Sequence, residues 1–278
     1  MVFHQISHNR TADAVVEQLE SLILQGILRS GDRLPAEREL AKKVDVSRPI
    51  LREAIKKLEE RGLVTSRHGE GTFISDVIGT VFSDQIVDLI RRHPRAVADY
   101  LEFRREVEGT AAELAALRAT AADKEILTRL FTGMEEAHGR GDFDAEAAID
   151  VEFHNAVGES AHNMILLHTL RACYRLLSDG VFYNRMTVYA FPGARENLLS
   201  QHRAIYEAII SGDPVASRLA AEAHIDYVET TMREVQRAGD WETVAALRLQ
   251  QMAERSSHMS PSPARKRRTA SDTRESQA

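Results

Sequence analysis

One carboxylate and three imidazoles stand among apolar residues in the second half of this 278-residue chain. Asp150 and His154 are four apart in AAIDVEFHNAV, so a helix would project both from one side. His202 lies in LLSQHRAIYEAI and His224 in AEAHIDYVE, each on a segment with helical periodicity. One oxygen and three nitrogens from three helices of a bundle can converge on a divalent cation. That donor mixture suits Zn²⁺ first, with Ni²⁺, Mn²⁺ and Fe²⁺ as alternatives. The spacing by itself leaves a second reading open. D-x-x-x-H recurs in helices by chance, and a histidine on an apolar face is commonly a satisfied core residue.

A second chemistry lies nearer the start, in PAERELAKKVDVSRPILREAIKKLEER. Leu51, Ala54, Ile55 and Leu58 follow the i, i+3, i+4, i+7 spacing of one buried helix face. Arg48 and Arg52 project together from another face. Ser47 occupies an N-cap position and Pro49 the first turn. A helix that presents paired arginines at its N-terminal end, beyond a packed partner helix, suits the major groove of DNA. Glu39, Glu53, Glu59 and Glu60 would repel phosphates, so they must face away or pair with Lys43, Lys56 and Lys57.

The elements that position these groups can be read from pattern and punctuation. Helices are expected from Thr11 to Gly26, from Pro35 or Ala36 to Val44, and from Ser47 to Arg61, where Gly62 stops the last. Two β-prone runs, 63–66 and 72–75, flank the turn segment 67–71. Three helices and a hairpin make a winged helix-turn-helix over residues 9–75, and 76–82 reads as a linker. Beyond it the pattern is helical, with segments near 83–92, 95–120, 123–140, 143–160, 163–187, 194–212 and 215–237. Breaks fall at Pro94, Gly141, Asn163, Pro192–Gly193 and Gly212–Asp213–Pro214. The fold class is therefore mainly α, with an antiparallel all-α bundle over 83–240. No heptad persists as a coiled coil requires. Residues 256–278 are rich in Ser, Pro and Arg and read as a disordered tail.

Composition removes several classes. A net charge of -6 argues against coating nucleic acid through bulk positive charge, but not against a local basic face built on Arg38, Arg48, Arg52 and Arg67. The one cysteine, Cys173, excludes an internal disulfide. No apolar run reaches the roughly 18 residues of a membrane span, and MVFHQISHNR lacks a signal-peptide core, so a cytoplasmic protein without membrane contact is expected. No HExxH, nucleophile elbow or phosphate-cradling loop is present, which weighs against an enzyme, including a metalloenzyme built on the Asp/His set.

The string GDRLPAERELAKKVDVSRPILREAIKKLEERGLV, followed by RHGEGTFI, resembles the winged-helix domain of GntR-type bacterial transcription regulators. The helical remainder resembles the FCD effector domain of the FadR subgroup. SRPILREAIKKLE and ESAHNMILLHTLR are similar to its branch of pyruvate dehydrogenase operon, lactate and glycolate regulators. The resemblance implies that Arg38, Arg48 and Arg52 approach phosphates and base edges, with Ser47 near the backbone. It also sends a wing tip at His68 and Gly69 into the minor groove. Asp150, His154, His202 and His224 match a divalent-metal ligand set of that domain, and Arg104 in YLEFRREVEG matches an arginine facing the effector cavity. Asn184 in VFYNRM is a further pocket candidate. The implied protein is a regulator, expected to be a repressor. It would bind a palindromic double-stranded DNA operator as a homodimer and answer to a small 2-oxo or 2-hydroxy acid such as pyruvate, lactate or glycolate. A dicarboxylate, a sugar acid or the metal itself are the alternative signals.

Overall fold

A computed structural model describes residues 11–76, 89, 92–178, 188–189 and 191–258. Helix α1 (Ala12–Leu24) opens on Thr11, whose hydroxyl accepts from the Ala14 amide at 3.3 Å. Helices α2 (Glu37–Lys43) and α3 (Arg48–Glu60) follow. Strands β1 (Val64–Arg67) and β2 (Gly71–Ile74) pair antiparallel, with Val64 opposite Ile74 and Arg67 opposite Gly71. The strands sit one residue away from their expected bounds. Leu63 is drawn into the helix exit, where its amide donates to the Leu58 carbonyl at 2.9 Å. Val15, Leu19 and Leu22 of α1 meet Leu40, Leu51, Leu58, Val64 and Ile74 in one core. Fully buried leucines such as Leu51 and Leu58 each contribute about 1.5–3 kcal/mol to holding α3 in place.

The second part is helical among the described residues. It comprises α4 (Pro94–Arg118), α5 (Ala121–Arg140), α6 (Phe143–Ser160), α7 (Met164–Ser178), α8 (Ala194–Ser211) and α9 (Pro214–His258). Local chemistry sets the joints. Thr120 and Asp123 form a reciprocal capping box at the start of α5, and Asp142 caps α6. The Asn163 and Asp213 side chains accept from the amides of Leu166 and Ala216. Short connections make α4, α5 and α6 antiparallel neighbours. Two clusters form the interior. One centres on Leu127, Phe131, Met134, Phe153 and Ile205, the other on Leu101, Cys173, Leu198, Ile225 and Val228.

Two expectations about extent change. The last helix runs to His258 rather than about 237, and so enters the first residues of the expected tail. Gly239 costs a helix about 1 kcal/mol, but the surrounding Ala, Glu, Leu, Arg and Gln favour it, and the next proline is Pro261. Residues through Met232 form one compact unit, and those from Arg233 onward belong to a second. The winged helix and the bundle therefore share a unit while keeping separate cores. Most of the expected linker, the helix expected over 83–92 apart from residues 89 and 92, and residues 259–278 lie outside the described residues.

Within the first unit the segment leaving α1 is gripped by α6 and α7. Arg29 donates to Glu152 at 2.7 Å and to Glu159 at 2.8 Å. Arg171 donates to Glu159 at 2.5 Å and to the Gly26 carbonyl at 3.2 Å, and His168 reaches the Leu24 carbonyl at 2.8 Å. Cationic donors at the C-terminal end of α1 satisfy carbonyls that the helix leaves open. No helix among the described residues is long and apolar enough to cross a membrane.

Candidate functional site

The arginines singled out in the sequence are exposed, and Arg48 and Arg52 share one acidic partner on α2. Arg38, Ser47, Arg48 and Arg52 are all exposed, while Leu51, Ala54 and Leu58 turn inward from the same helix. Glu37 organises the pair, with Oε2 accepting from Arg52 Nε at 2.9 Å and lying 3.7 Å from an Arg48 terminal nitrogen. The acidic residues of this region pair as charge balance requires. Lys43 meets Glu39 at 2.7 Å, Lys57 meets Glu53 at 3.0 Å, and Glu59 accepts from the Ser66 amide. Ser47 holds the N-cap position without a side-chain capping bond. Its hydroxyl therefore remains at the exposed N-terminus, where helix amides and dipole favour an anion. His68 and Gly69 form the exposed tip between β1 and β2. Gly71 has φ +114°, a backbone conformation that side chains rarely adopt, and this lets the chain turn from the tip into β2.

In the bundle, three helices bring the four predicted ligands together. Asp150 and His154 come from α6, His202 from α8 and His224 from α9, and all four are buried. His154 Nε2 lies 3.2 Å from His202 Nε2, and Asp150 Oδ1 is 2.9 Å from His202 Nε2 and 3.6 Å from His154 Nε2. Nitrogens of His154, His202 and His224 all lie within 4.8 Å of one another. The Phe153 ring meets His154 and His202 edge-on and holds them from the apolar side. Burial alone would push His154 down, but the charges of Glu108 and Asp150 outweigh it and raise its pKa to about 9. Burial, reinforced by His202 and His154, pushes His224 well below the ordinary histidine value. His202 Nδ1 is buried without a hydrogen-bond partner among the described residues. Three crowded imidazoles and a carboxylate, with the Nε2 atoms of His154 and His202 facing each other at 3.2 Å beside Asp150, make a donor set that fits a divalent cation.

Arg104 lies beside this cluster. It is 2% exposed, flanked by the rings of Tyr100 and Tyr174, and its Nε donates to Glu108 Oε1 at 2.6 Å. Among the described residues, Arg104, Asp150, His154, Tyr189 and His224 line a small cavity together with the apolar Val188, Leu198 and Val228. Asn184 lies outside the described residues. Sequence reading missed two partners of the histidines. Glu108 Oε2 sits 3.0 Å from His154 Nδ1, and the Gln201 side-chain oxygen 3.1 Å from His224 Nδ1. The signal for Glu108 was present: Leu101, Arg104, Glu108, Ala111 and Ala115 share one buried stripe of α4, so two charges interrupt an apolar face at i, i+4.

Comparison with known proteins places both parts. The profile of the bacterial regulatory proteins of the gntR family matches residues 11–74, and that of the FCD domain matches residues 99–227. The chain is 39% identical over 228 residues to the putative L-lactate dehydrogenase operon regulatory protein of Escherichia coli K12, covering 81% of this chain and 87% of that one. It is 30% identical over 230 residues to the Glc operon transcriptional activator of the same organism, covering 82% and 91%. A solved structure, Streptococcus agalactiae GntR, is 28% identical and covers 79% of this chain and 99% of its own, with a TM-score of 0.48.

Proposed function

Because the chain belongs to the GntR family of bacterial regulatory proteins, and is a DNA-binding transcription regulator rather than an enzyme, we propose that a small carboxylic acid bound beside a divalent metal ion in the helical bundle controls its hold on DNA. One observation carries this reading: a guanidinium and three of the four candidate metal ligands, Asp150, His154 and His224, line the same cavity. Asp150, His154, His202 and His224 hold the ion, with zinc the first choice for three imidazoles and one carboxylate. When bound, such an ion offers a Lewis-acidic point of attachment for an acid's oxygen. Arg104 pairs with the carboxylate, and Val188, Leu198 and Val228 enclose the rest of the molecule.

The effector class follows from that lining. Arg104 is the permanently charged cation among the described lining residues, so one carboxylate is matched and a second is not. Small 2-oxo and 2-hydroxy monocarboxylates, such as pyruvate, lactate or glycolate, therefore rank ahead of dicarboxylates. The relative named for an L-lactate dehydrogenase operon supports the same class.

On the DNA side, a homodimer sets two copies of α3 on the half-sites of a palindromic operator, since two-fold protein symmetry calls for two-fold sites. The acid shifts the equilibrium by binding one arrangement of the two heads better than the other. Repression relieved by the acid is the proposed sense. Operator position decides it, and one relative is named an activator. The site of action is the cytoplasm, where the DNA is.

Metal analysis and calorimetry on the purified protein test this reading. Wild type should carry about one ion per chain. His202→Ala should lose most of it while keeping its helical circular dichroism. Lactate should bind loaded wild type and fail to bind Arg104→Ala. Full occupancy in His202→Ala, or unchanged acid binding in Arg104→Ala, would remove the proposal. DNA release caused by metal alone would make the ion the signal.

A further inference from the structure

Glu108 belongs to neither the DNA-reading face nor the ligand set, yet it is 4% exposed and touches both halves of the bundle site. Its Oε1 accepts from Nε and a terminal nitrogen of Arg104, each at 2.6 Å. Its Oε2 lies 3.0 Å from His154 Nδ1. An ionised carboxylate only accepts hydrogen bonds, so Nδ1 of His154 must carry the proton. The other nitrogen, Nε2, then faces Asp150 and His202. The same carboxylate fixes the guanidinium between the Tyr100 and Tyr174 rings, at the cavity wall. One side chain thus contacts both the candidate ligand His154 and the cavity guanidinium.

We propose that Glu108 is the positioning residue that joins the two halves of the site, holding His154 in the tautomer that presents Nε2 to a metal ion and holding Arg104 toward the carboxylate of the acid. The inference rests on the metal-and-acid reading above and adds to it a specific coupling. Two ligands whose binding groups share a support affect each other's affinity reciprocally. Loading the ion tightens His154 against Glu108, and through Glu108 it sets Arg104. The acid and the ion should therefore bind cooperatively, with the cooperativity residing in Glu108. Gln201 gives His224 a similar oxygen at Nδ1 but makes no contact with Arg104 among those described, so its loss should weaken ion binding without uncoupling the acid.

Co²⁺, with its visible absorption, serves as the probe ion, and lactate as the probe acid. The full chain is compared as wild type, Glu108→Gln and Gln201→Ala. Glu108→Gln should weaken Co²⁺ binding by about tenfold or more and alter its spectrum. It should also bring the ratio of lactate affinities with and without Co²⁺ close to one. Gln201→Ala should weaken Co²⁺ binding and keep the wild-type ratio. Long-range ¹H–¹⁵N spectra of the Zn²⁺-loaded wild type, in which a ligating imidazole is neutral, should show His154 protonated at Nδ1. They decide the matter if Glu108→Gln does not fold: a proton on Nε2 alone overturns the proposal. Wild-type protein that takes up no Co²⁺ overturns both this inference and the site reading. Wild type that binds Co²⁺ and lactate, with Glu108→Gln keeping the same coupling and spectrum, overturns this inference alone.

Discussion

Glu37 ties down Arg52 and approaches Arg48, so the two guanidiniums are held as a pair before any nucleic acid arrives. Both are exposed, and an exposed ion pair is worth little, so a phosphate or a guanine edge can replace Glu37 at small cost. Arg52→Ala should cost about 1–3 kcal/mol of operator binding and relax base preference at one position. Fluorescence anisotropy against a set of single-base operator variants measures both, and unchanged affinity and preference would remove Arg52 from the reading face. At this scale the sequence was most legible where residue type and helical spacing coincide. Asp150 and His154 could be placed on one side of α6 by counting, His202 and His224 stood out as imidazoles amid apolar helical neighbours, and the resemblance marked the four as a ligand set. Glu108 and Gln201 were not read, because a second-layer partner is defined by which side chain on another helix faces it. Only packing fixes that. Ser47 was legible as the N-cap position of α3, and it holds that position without a side-chain capping bond.

Helix α6 has two working faces. Asp150 and His154 point into the candidate site, and Glu152 and Glu159, on the opposite side, grip Arg29 of the segment that leaves α1. Helix α7 does likewise, with Tyr174 beside His154 and Arg171 on Glu159. Glu159→Gln should therefore loosen residues 24–29 by on the order of 1–2 kcal/mol, and their amides should exchange about tenfold faster. Metal content should stay unchanged, because Glu159 touches none of the four ligands. Hydrogen exchange followed by mass spectrometry reads this directly, and unaltered exchange would show that the grip is not held by Glu159. Element boundaries were largely legible at breakers such as Gly141, Asn163 and Gly212–Asp213–Pro214, whereas Thr120, read as the end of one helix, caps the start of the next. The continuation of α9 past 237 was not. Gly239–Asp240 looks like a stop, and helix propensity in the following residues outweighs it.

At the scale of the molecule, one chain joins a basic reading face to a buried, acid-rich bundle. The net charge of -6 hides that division, and only the local clustering of arginines on α2 and α3 exposes it. The winged helix and the bundle keep separate cores, and the described contacts between them pass through Arg29, Arg171, His168 and the carbonyls of Leu24 and Gly26. That the two parts exist was legible from the change in pattern near residue 76. How the bundle grips the segment after α1 was not, because those contacts join residues more than 120 positions apart. On this reading, occupancy of the bundle cavity is felt as a change in DNA affinity. Anisotropy of a labelled duplex from the chain's own upstream region, titrated with metal-loaded protein at fixed salt, tests it most directly. The predicted result is tight binding that shifts by about fivefold or more when lactate, pyruvate or glycolate is added, with the shift absent in Arg104→Ala. Binding that ignores every such acid in wild type, or shifts equally in Arg104→Ala, would contradict the claim.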